Sequence, residues 1–388
     1  MPRFRRTGYV FLRCEDRSLI DVAALLRGRA ELATHPQITA VSALTAVERA
    51  ISRTQLDLIL SLPARSWTRR DADDAEALRR LATDGLVLSD EPDDHLSELR
   101  RRDETLTAGQ WDVHAALYHF LTQWRDVDAG GSPAEADPTG ALIGAHGPPP
   151  PHFAPAARPL AVTELALEER RGGLWDTLAR RRTTRVFTPE PLTAGELSLV
   201  LRYTAGCRGY SRIAEDAVIL SKTSPSGGAM HPTELYVLAR RVDGVEPGLH
   251  HYDAGRHTLE LLSRHTPDAI GSLALELSAG QAFTRDAAAL FLVTTRFSRN
   301  FWKYRQHRRA YAVLLMDAAH LGQTFSLVCA ELGLGAFVTA AVNGANIEER
   351  LGLDPYSEGA LALWGCGRPG PGPDGPVFEP YIPRTTTI

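Results

Sequence analysis

The stretch that decides the fold of this chain is AAALFLVTTRFSRNFWKYRQHRR, residues 287–309. Its first part, Ala287 to Thr295, is an unbroken apolar run with the length and composition of a fully buried strand. A second apolar segment, typical of a long helix, begins near Tyr311. The strand and the helix predict that the residues between them form a turn at the edge of the hydrophobic core.

Lys303 and Tyr304 lie side by side in this turn, next to Phe301 and Trp302. Burial and mutual proximity would favour proton exchange by both side chains near neutral pH, so the pair has the outline of a proton-transfer site. The alternative is a solvated face, because several arginines surround Lys303. The pair is informative because Lys222 and Lys303 are the only lysines in an arginine-rich chain.

Composition limits the classes of protein that this chain can represent. Its 388 residues predict two domains, or one domain with a large extension. The net charge of -4 predicts no general attraction to nucleic acid or to an anionic membrane. The four cysteines form no C-x-x-C pair, which predicts reduced thiols and neither a zinc site nor a disulfide framework. Because no secretory pattern and no membrane-spanning apolar window occurs, we expect a cytoplasmic protein. We also expect no bound metal ion.

Apolar periodicity in residues 1–125 predicts an N-terminal domain that is mostly helical. The predicted elements are a strand over 9–14, helices over 18–28, 43–62 and 71–83, and a strand within the DGLVLSD segment at 84–90. This order is typical of a winged helix, but the stretch is acidic where a DNA-binding version would be basic. Binding of nucleic acid is therefore not expected.

The same order of elements is similar to the peptide-recognition winged helices of enzymes that modify ribosomally made peptides. In those elements a leader peptide adds as an extra strand along a sheet edge. A helical cap without a binding function is the alternative. An aromatic helix over 111–124 follows, and the Pro- and Gly-rich composition of residues 126–160 predicts a linker. Residues 161–388 then form the predicted catalytic domain.

The segment RRTTRVF, residues 181–187, places guanidinium and hydroxyl groups next to each other. It precedes a helix, because Thr193 and Glu196 have the spacing of a capping box. Forked guanidinium hydrogen bonds and short hydroxyl donors are what a phosphomonoester needs, so the segment is a candidate phosphate site. A surface basic patch is the alternative.

The segment TSPSGGAMHP, residues 223–232, precedes a predicted strand over 233–239. Its small residues let backbone amides approach a planar ring or a ribityl chain, which bulky side chains would prevent. An ordinary tight loop is the alternative. The sequence contains neither G-x-G-x-x-G after a strand nor a P-loop, so a Rossmann dinucleotide site and a P-loop nucleotide site are not expected.

Six motifs, in this order, resemble the SagB-type dehydrogenases of the FMN-dependent nitroreductase superfamily. They are RRTTRVF, PSGGAMHPTELYVL, GLHHYD, FWKYRQHRRAY, DAAHLGQTFSLVCAELGLGAFV and WGCGRP. The resemblance covers about residues 172–370. The resemblance implies an α+β, nitroreductase-like fold in which helices flank a mixed, mostly antiparallel sheet. It also implies bound FMN and a homodimer whose FMN sites are built from both subunits.

The resemblance also implies the site residues, position by position. Lys303 and Tyr304 match the catalytic pair. The matches to the FMN-binding residues are Arg181, Arg182, Thr183, Arg185, Ser226, Gly227, Gly228, Gly333, Leu334, Gly335 and Arg368. The arginines and Thr183 correspond to the phosphate and flavin-edge ligands, and the small residues lie beside the ring in the family. The chain departs from the family pattern at MHP, residues 230–232, where LYP is usual, and this difference bears on the pocket above the flavin.

The resembled enzymes oxidise thiazoline and oxazoline rings to thiazoles and oxazoles in ribosomally made peptides. The mechanism implied for this chain is removal of an alpha proton by Tyr304 or by neutral Lys303, with hydride transfer to flavin and reoxidation by oxygen. The expected partners are a precursor peptide and a cyclodehydratase complex. The alternatives are an NAD(P)H-dependent reductase of activated alkenes, dehydroamino acids or nitro compounds, and a non-catalytic scaffold that binds the leader peptide.

Overall fold

The structure, a computed structural model, describes residues 1–20, 32–129, 143–148, 170–215 and 217–371. Residues 27, 29, 153, 158, 160, 161 and 166 are also described.

The strands in this part of the chain are β1 (Arg3–Arg6), β2 (Val10–Ile20), β3 (Leu32–Ser42), β4 (Glu48–Ile51), β5 (Thr68–Arg69), β6 (Val87–Ser89), β7 (Leu192–Thr193), β8 (Gly209–Ala214), β9 (Ala217–Ser221), β10 (Thr233–Ala239), β11 (Val242–Asp243), β12 (Gly248–Asp253), β13 (Thr258–Arg264), β14 (Ala289–Arg296), β15 (Gly335–Thr339) and β16 (Glu358–Gly367). The helices are α1 (Arg53–Leu60), α2 (Ala72–Thr83), α3 (Asp94–Ala108), α4 (Val113–Thr122), α5 (Leu174–Arg180), α6 (Ala194–Thr204), α7 (Pro267–Leu277), α8 (Phe297–Phe301), α9 (Ala310–Glu331) and α10 (Gly344–Leu351).

A six-stranded antiparallel sheet forms the centre of the C-terminal half, in the order β13-β12-β10-β14-β16-β15. The apolar run seen in the sequence is β14, and each of its residues except Arg296 is buried. Helices α6 and α9 cover one face of the sheet, where Phe291 and Trp364 pack. Helices α7 and α10 cover the other face, where Leu290 and Leu363 pack. These layers confirm the predicted α+β fold with its mostly antiparallel sheet.

Helix α9 has 22 residues and packs on the sheet through Phe325 and Cys329, both fully buried. In the single chain this helix is covered on the side that faces the sheet. A stripe of residues on its other side is exposed, namely Ala312, Leu315, Met316, Ala319, His320 and Gln323. Within the described residues α9 is also a helix long and apolar enough to cross a membrane by length and composition, but its contact with the sheet is that of a core helix.

The prediction that residues 1–125 are mostly helical is wrong, because strands β1 to β6 occupy much of this region. Strand β2 pairs with β3 over eleven residues, and β4 pairs with the end of β3. Residues 18–20, predicted as the start of a helix, are the end of β2, and most of the predicted helix beyond them lies outside the described residues. The strand predicted over 9–14 is confirmed as part of β2. A second sheet has the order β5-β1-β6.

The single helix predicted over 43–62 is also wrong. Strand β4 occupies Glu48–Ile51, and helix α1 begins after it at Arg53. Ser52 separates the strand from the helix through two reciprocal hydrogen bonds. The Ser52 side chain accepts from the backbone N–H of Gln55, and the Gln55 side chain accepts from the backbone N–H of Ser52. Such a capping box fixes a helix start. The predicted helix over 71–83 and the strand after it are confirmed as α2 and β6.

The N-terminal region and the C-terminal half share a hydrophobic core. Trp111 lies 4.5 Å from the Phe297 ring and 4.9 Å from the Phe301 ring, measured between ring centres. Its indole N–H donates to the carbonyl oxygen of Tyr356 at 3.2 Å. The aromatic helix predicted over 111–124 is confirmed as α4 and supplies much of this junction. The predicted linker over 126–160 lies largely outside the described residues.

Polar side chains from both regions meet behind this aromatic junction. His119 Nδ1 lies 2.8 Å from Tyr311 Oη, at the start of α9. Gln123 Nε2 donates to Glu348 Oε1 at 2.9 Å, and the backbone N–H of Ala360 donates to the same oxygen at 3.0 Å. Burial raises the pKa of Glu348 to about 7 and lowers the pKa of His119 to about 3. Burial at this junction therefore disfavours the charged forms of both side chains.

Candidate active site

The predicted catalytic pair lies against the small-residue loop. Lys303 Nζ donates to the carbonyl oxygen of Gly228 at 3.2 Å and lies 6.0 Å from the centre of the Tyr304 ring. A Cβ atom built on Gly228 would fall 2.6 Å from Tyr304 Oη and 2.7 Å from Lys303 Nζ. The φ of Gly228 is 61°, a conformation that favours glycine. The structure thus joins two parts of the predicted site that are far apart in sequence.

The surroundings of the pair differ from the prediction. The Lys303 side chain is exposed and Tyr304 is half-buried. Phe301 is 1% exposed and packs in the shared core, whereas Trp302 is 64% exposed. The prediction of a pair buried between two aromatic walls is wrong for the single chain. The reason is helical geometry, because consecutive residues at the end of α8 point about 100° apart and cannot line one side of a pocket.

Asp317 of α9 holds the small-residue loop in place. Its carboxylate accepts from Ser226 Oγ at 2.5 Å and from the backbone N–H of Gly227 at 3.0 Å. Ser226 Oγ in turn accepts from the backbone N–H of His231 at 2.9 Å. Asp317 is only 3% exposed, and a buried carboxylate needs such partners. Sequence reasoning missed this residue, although an acidic side chain in the middle of an apolar helix was a signal that could have found it.

A small polar cavity lies behind the loop, and its lining includes Lys222, His231, Thr233 and Asp317. Burial lowers the pKa of the Lys222 ammonium and of the His231 imidazole, because both lose water that would solvate their charged forms. Thr233 Oγ1 is buried and has no hydrogen-bond partner among the described residues. The two lysines of the chain thus both lie near this loop: Lys303 contacts the Gly228 carbonyl oxygen, and Lys222 lines the cavity beside Ser226.

The predicted phosphate-binding segment lies along the outer edge of β15. The backbone N–H of Thr184 donates to the carbonyl oxygen of Ala336 at 2.8 Å, and Thr183 bridges to Ala336 in parallel register. A Cβ atom built on Gly335 would fall 2.5 Å from Thr184 Cγ2, so this close approach requires glycine. The arginine segment and the Gly333–Gly335 turn are therefore neighbours.

The side chains at this edge fit a phosphomonoester that is joined to a planar ring, as in FMN. Thr183 and Arg185 are exposed, and the Arg185 guanidinium lies 5.6 Å above the Phe283 ring. A Cβ atom built on Gly333 would meet nothing within 4 Å, so its backbone faces open space. Guanidinium and hydroxyl donors beside an open glycine backbone are the groups that such a ligand needs. The remaining predicted residues here are Arg181, which is half-buried, Arg182, which is exposed, and Leu334, which is buried in the core.

Arg368 lies beside the same segment, but its guanidinium is already engaged. Its two terminal nitrogens contact the two oxygens of Glu196 at 2.8 and 2.9 Å. Glu196 is also the capping residue of α6, where its carboxylate accepts from the backbone N–H of Thr193 at 2.9 Å. Burial opposes ionisation, yet these donors outweigh it and lower the pKa of Glu196. Arg368 thus ties the last strand to α6, and a direct bond to phosphate stays a prediction.

The two groups of predicted residues lie at different ends of α9. Asp317, in its first half, holds the loop beside Lys303 and Tyr304. Glu331, its last residue, contacts Arg180 at 3.3 Å, immediately before the arginine segment. The fourteen residues from Asp317 to Glu331 span about 20 Å along the helix axis. Within one chain, the structure does not bring the catalytic pair to the candidate phosphate site.

Among the described residues, no cluster of three or more His, Cys, Asp or Glu side chains is arranged to hold a metal ion. Cys329 and Cys366 are both fully buried in the core, and burial raises the pKa of the Cys329 thiol. Neither thiol is placed to react with a molecule from solvent.

Comparison with solved structures supports the class of fold. The chain is similar to a chain of the E. coli microcin synthetase McbBCD complex with truncated pro-MccB17 bound, with a TM-score of 0.50 at 19% identity. That similarity covers 69% of this chain and 94% of the other chain. The six-stranded sheet and its flanking helices thus share the fold of that chain.

Comparison of sequences then identifies the family. Residues 178–368 match the family model described as "Nitroreductase family". The chain is 30% identical over 199 residues to the nitroreductase-like protein MJ1384 of Methanocaldococcus jannaschii, covering 50% of this chain and 88% of that protein. The chain belongs to the nitroreductase family.

A second relative is named for the processing of trifolitoxin. The chain is 31% identical over 181 residues to the trifolitoxin-processing protein TfxB of Rhizobium leguminosarum bv. trifolii. The match covers 45% of this chain and 47% of TfxB, so it spans about half the length of that relative.

Proposed function

We propose that this protein is an FMN-dependent dehydrogenase of peptide natural-product maturation, which oxidises thiazoline or oxazoline rings to thiazoles or oxazoles. The observation that carries the proposal is the convergence of Lys303 Nζ and Tyr304 Oη on the backbone of Gly228. Both groups can exchange a proton, and both lie beside a loop of small residues. Such an arrangement is suited to removing a proton from a substrate that lies on a flat ring.

FMN is held, in this proposal, by Arg181, Arg182, Thr183 and Arg185 at its phosphate and by the backbone of Gly333 to Gly335 and Ser226 to Gly228 at its ring. FMN supplies the two-electron acceptor when it is bound. Arg368 contributes by holding Glu196 and the adjoining strand in position. Asp317 fixes the loop through Ser226 and Gly227, so that the ring-side backbone is rigid before substrate arrives.

Tyr304 or Lys303 takes the alpha proton of the azoline ring. The ring loses this proton to the base and a hydride from the neighbouring carbon, and the carbon–carbon bond between them becomes a double bond. Lys303 as an ammonium would stabilise a phenolate on Tyr304, whereas neutral Lys303 would act as the base itself. Lys303 Nζ already donates to the Gly228 carbonyl oxygen, which holds it beside Tyr304.

The active protein is a homodimer with sites shared between subunits. This part of the proposal is supported by the separation of about 20 Å between the two groups of predicted residues along α9. It is also supported by the exposed stripe on α9, where Met316 is 54% exposed and Leu315 is 39% exposed. Apolar side chains on a long core helix favour burial against a second copy. In such a dimer the catalytic pair of one subunit meets the phosphate site of the other.

The substrate is a precursor peptide in this proposal, and the N-terminal region recognises its leader. The printed functions of two similar proteins support a peptide substrate, since one processes trifolitoxin and the other belongs to a microcin synthetase with a truncated pro-peptide bound. The described sheets β2-β3-β4 and β5-β1-β6 leave strand edges to which a peptide could add. A cyclodehydratase that makes the azoline is the expected partner, and a cytoplasmic location follows from that partnership.

Substitution of the catalytic pair tests the reaction. Lys303→Ala and Tyr304→Phe should each lower turnover of an azoline peptide by roughly 10²- to 10⁴-fold, because the proton acceptor is lost. Bound FMN, followed by visible absorbance, should be unchanged, because neither side chain lies at the phosphate site. The measurement is mass spectrometry of the two-dalton loss from the peptide. Full turnover by both variants would end the assignment.

The electron source distinguishes the proposed reaction from its alternatives. Mixing the holoprotein anaerobically with the azoline peptide should bleach the flavin, whereas NAD(P)H should bleach it slowly. Rapid bleaching by NAD(P)H and none by the peptide would identify a reductase. A colourless protein that takes up no flavin would identify a scaffold.

A further inference from the structure

The turn that carries the catalytic pair is a concentration of unpaired positive charge. Lys303, Arg305, Arg308 and Arg309 are exposed, and no acidic residue occurs between Asp286 and Asp317. Within the described residues none of these three arginines has a carboxylate within ion-pair distance. Arg305 Nε donates to the carbonyl oxygen of Trp302 at 3.1 Å instead. We call Arg305, Arg308 and Arg309 the basic patch.

Arginines elsewhere in the chain are commonly paired with acids. Arg296 pairs with Glu234 at 2.7 Å, Arg350 with Glu276 at 3.1 Å, and Arg368 with Glu196 at 2.8 Å. A chain with a net charge of -4 has carboxylates to spare. The lack of acidic neighbours around the basic patch is therefore a local feature and does not follow from composition.

The position of the basic patch also works against the stability of helix α9. Arg309 is the N-cap residue, its side chain makes no capping hydrogen bond, and the first turn contains no acidic residue. The N-terminus of a helix carries partial positive charge, so cations there are unfavourable and acids are preferred. The arrangement thus costs stability unless an external anion approaches this surface.

The backbone that carries the basic patch is held by hydrogen bonds. The backbone N–H of Gln306 donates to the carbonyl oxygen of Gln110 at 2.9 Å, which ties the turn to the N-terminal region. The N–H of His307 donates to the Tyr304 carbonyl oxygen at 3.2 Å, and the N–H of Ala310 donates to the His307 carbonyl oxygen at 2.8 Å. A backbone that is already ordered loses little conformational entropy on binding. The turn also contacts the N-terminal region next to the catalytic pair.

We infer that the basic patch binds carboxylates of the peptide substrate, within about four residues of the ring that is oxidised. This inference rests on the proposed function and specifies the substrate class as an acidic peptide. An extended peptide advances about 3.3 Å per residue, so a side chain a few residues from the reacting ring reaches Arg305 to Arg309 when the ring lies beside Tyr304. Arginine forms forked bonds with carboxylates, which gives both charge attraction and orientation.

A short acidic segment fits this surface better than a long polyanion does. The positive charge is confined to one turn, and the chain as a whole is negatively charged, so an extended nucleic acid would meet repulsion beyond the patch. A peptide with a few carboxylates gains the local attraction without that cost. The exposed Trp302 ring offers an apolar contact next to the charges.

The test measures binding of two fluorescein-labelled peptides to the FMN-loaded protein by anisotropy. The peptides share one sequence, with three Asp residues in one and three Asn residues in the other, and neither contains an azoline. At about 50 mM salt the Asp peptide should bind about tenfold more tightly, and this preference should shrink at about 0.5 M salt because of screening. Equal affinity of the two peptides for the unsubstituted protein would overturn the inference.

Variants locate the preference on the protein. The triple substitution Arg305→Gln, Arg308→Gln and Arg309→Gln should abolish the preference for the Asp peptide. The control substitutes Arg256, Arg264 and Arg350, which are exposed and lie on other faces, by Gln. It removes the same net charge and should keep the preference. Loss of the preference in the control as well would show attraction by overall charge and overturn the inference.

Two further measurements keep the result unambiguous. If the triple variant does not fold, Arg308→Gln is tested alone, because Arg308 makes no hydrogen bond or ion pair among the described residues that the fold would lose. This single substitution should weaken binding of the Asp peptide about threefold. A single-stranded oligonucleotide of equal charge should bind more weakly than the Asp peptide, and tighter binding of the oligonucleotide would overturn the peptide assignment. This test measures binding and is independent of turnover. If the protein keeps its preference for the Asp peptide but oxidises no azoline, the proposed reaction is rejected and the inference about the basic patch stands.

Discussion

The two ends of helix α9 differ in what they offer a ligand. The first end presents Lys303 and Tyr304 against a glycine loop fixed by Asp317. The second end presents arginine and threonine side chains against the open backbone at Gly333. One end has groups of the kind that exchange protons and the other has groups suited to a phosphate, and about 20 Å of helix separates them. Under the proposed function a single chain therefore carries two half-sites, and the difference between the ends favours a site completed by a second copy.

The largest effect is expected from closing the space at the first end. Gly228→Ala should lower turnover of an azoline peptide about 100-fold, because a Cβ atom there would collide with Lys303 Nζ and Tyr304 Oη and displace both. Because the proposal also places the Gly228 backbone beside the FMN ring, turnover is expressed per bound FMN, which visible absorbance measures. The matched control is Gly195→Ala in helix α6, where the nearest atom to a new Cβ is 3.8 Å away. Normal turnover by Gly228→Ala would break the assignment of the first end.

The second prediction tests whether the two ends act across subunits. Lys303→Ala and a variant with Arg181→Glu and Arg185→Glu should each be inactive alone. After mixing and exchange of subunits, about one quarter of the unsubstituted activity should return, because half of the dimers are mixed and one of their two sites has both ends intact. The measurement is azoline turnover, with the mass of the dimer checked by analytical ultracentrifugation. A mass near 42.4 kDa, or no recovered activity, would assign the whole site to one chain.

The smallest effect concerns the junction behind the first end. Burial raises the pKa of Glu348 from 4.5 to about 7, so the folded chain binds its proton more tightly than the unfolded chain does. Stability from this proton is present at low pH and is lost as the pH rises through about 7. Between pH 5 and 8 the loss is roughly 2 kcal/mol, and Glu348→Gln should remove it. The measurement is urea unfolding of both proteins at the two pH values.

The difference in the pH dependence of unfolding between the unsubstituted protein and Glu348→Gln reports on Glu348 alone. The buried His119 has its pKa lowered to about 3, so it contributes the opposite pH dependence in both proteins and cancels. The azoline turnover of Glu348→Gln should match that of the unsubstituted protein, because Glu348 lies behind the aromatic junction. An identical pH dependence of unfolding in both proteins would contradict the burial argument.

The sequence predicted best the elements whose burial is continuous. Strand β14 and helix α9 are long apolar runs, and each is a core element. The continuation of β2 beyond residue 14 and its partner β3 escaped prediction, because residues 11–18 of β2 are all exposed and no alternation of apolar and polar residues marks the strand. Backbone pairing holds this ribbon together, and sequence periodicity does not report backbone pairing.

The candidate site was predictable in its residues and not in its assembly. The motifs placed Lys303, Tyr304 and the glycine loop in one site, and the structure brings them together. Asp317 and the engagement of Arg368 by Glu196 escaped prediction, because both depend on which distant elements pack together. The separation of the two half-sites likewise depends on the path of α9 across the sheet.

The contact of Trp111 with Phe297 and Phe301 has a consequence for how the enzyme could be shortened. The family match begins at residue 178, but the rings that Trp111 covers belong to the matched part. A fragment that starts at the family boundary would leave two phenylalanine rings facing water at the base of the catalytic turn, at a cost of several kcal/mol. Such a fragment would aggregate, so the smallest unit that folds on its own in this architecture includes Trp111 and the following helix α4, which precede the match.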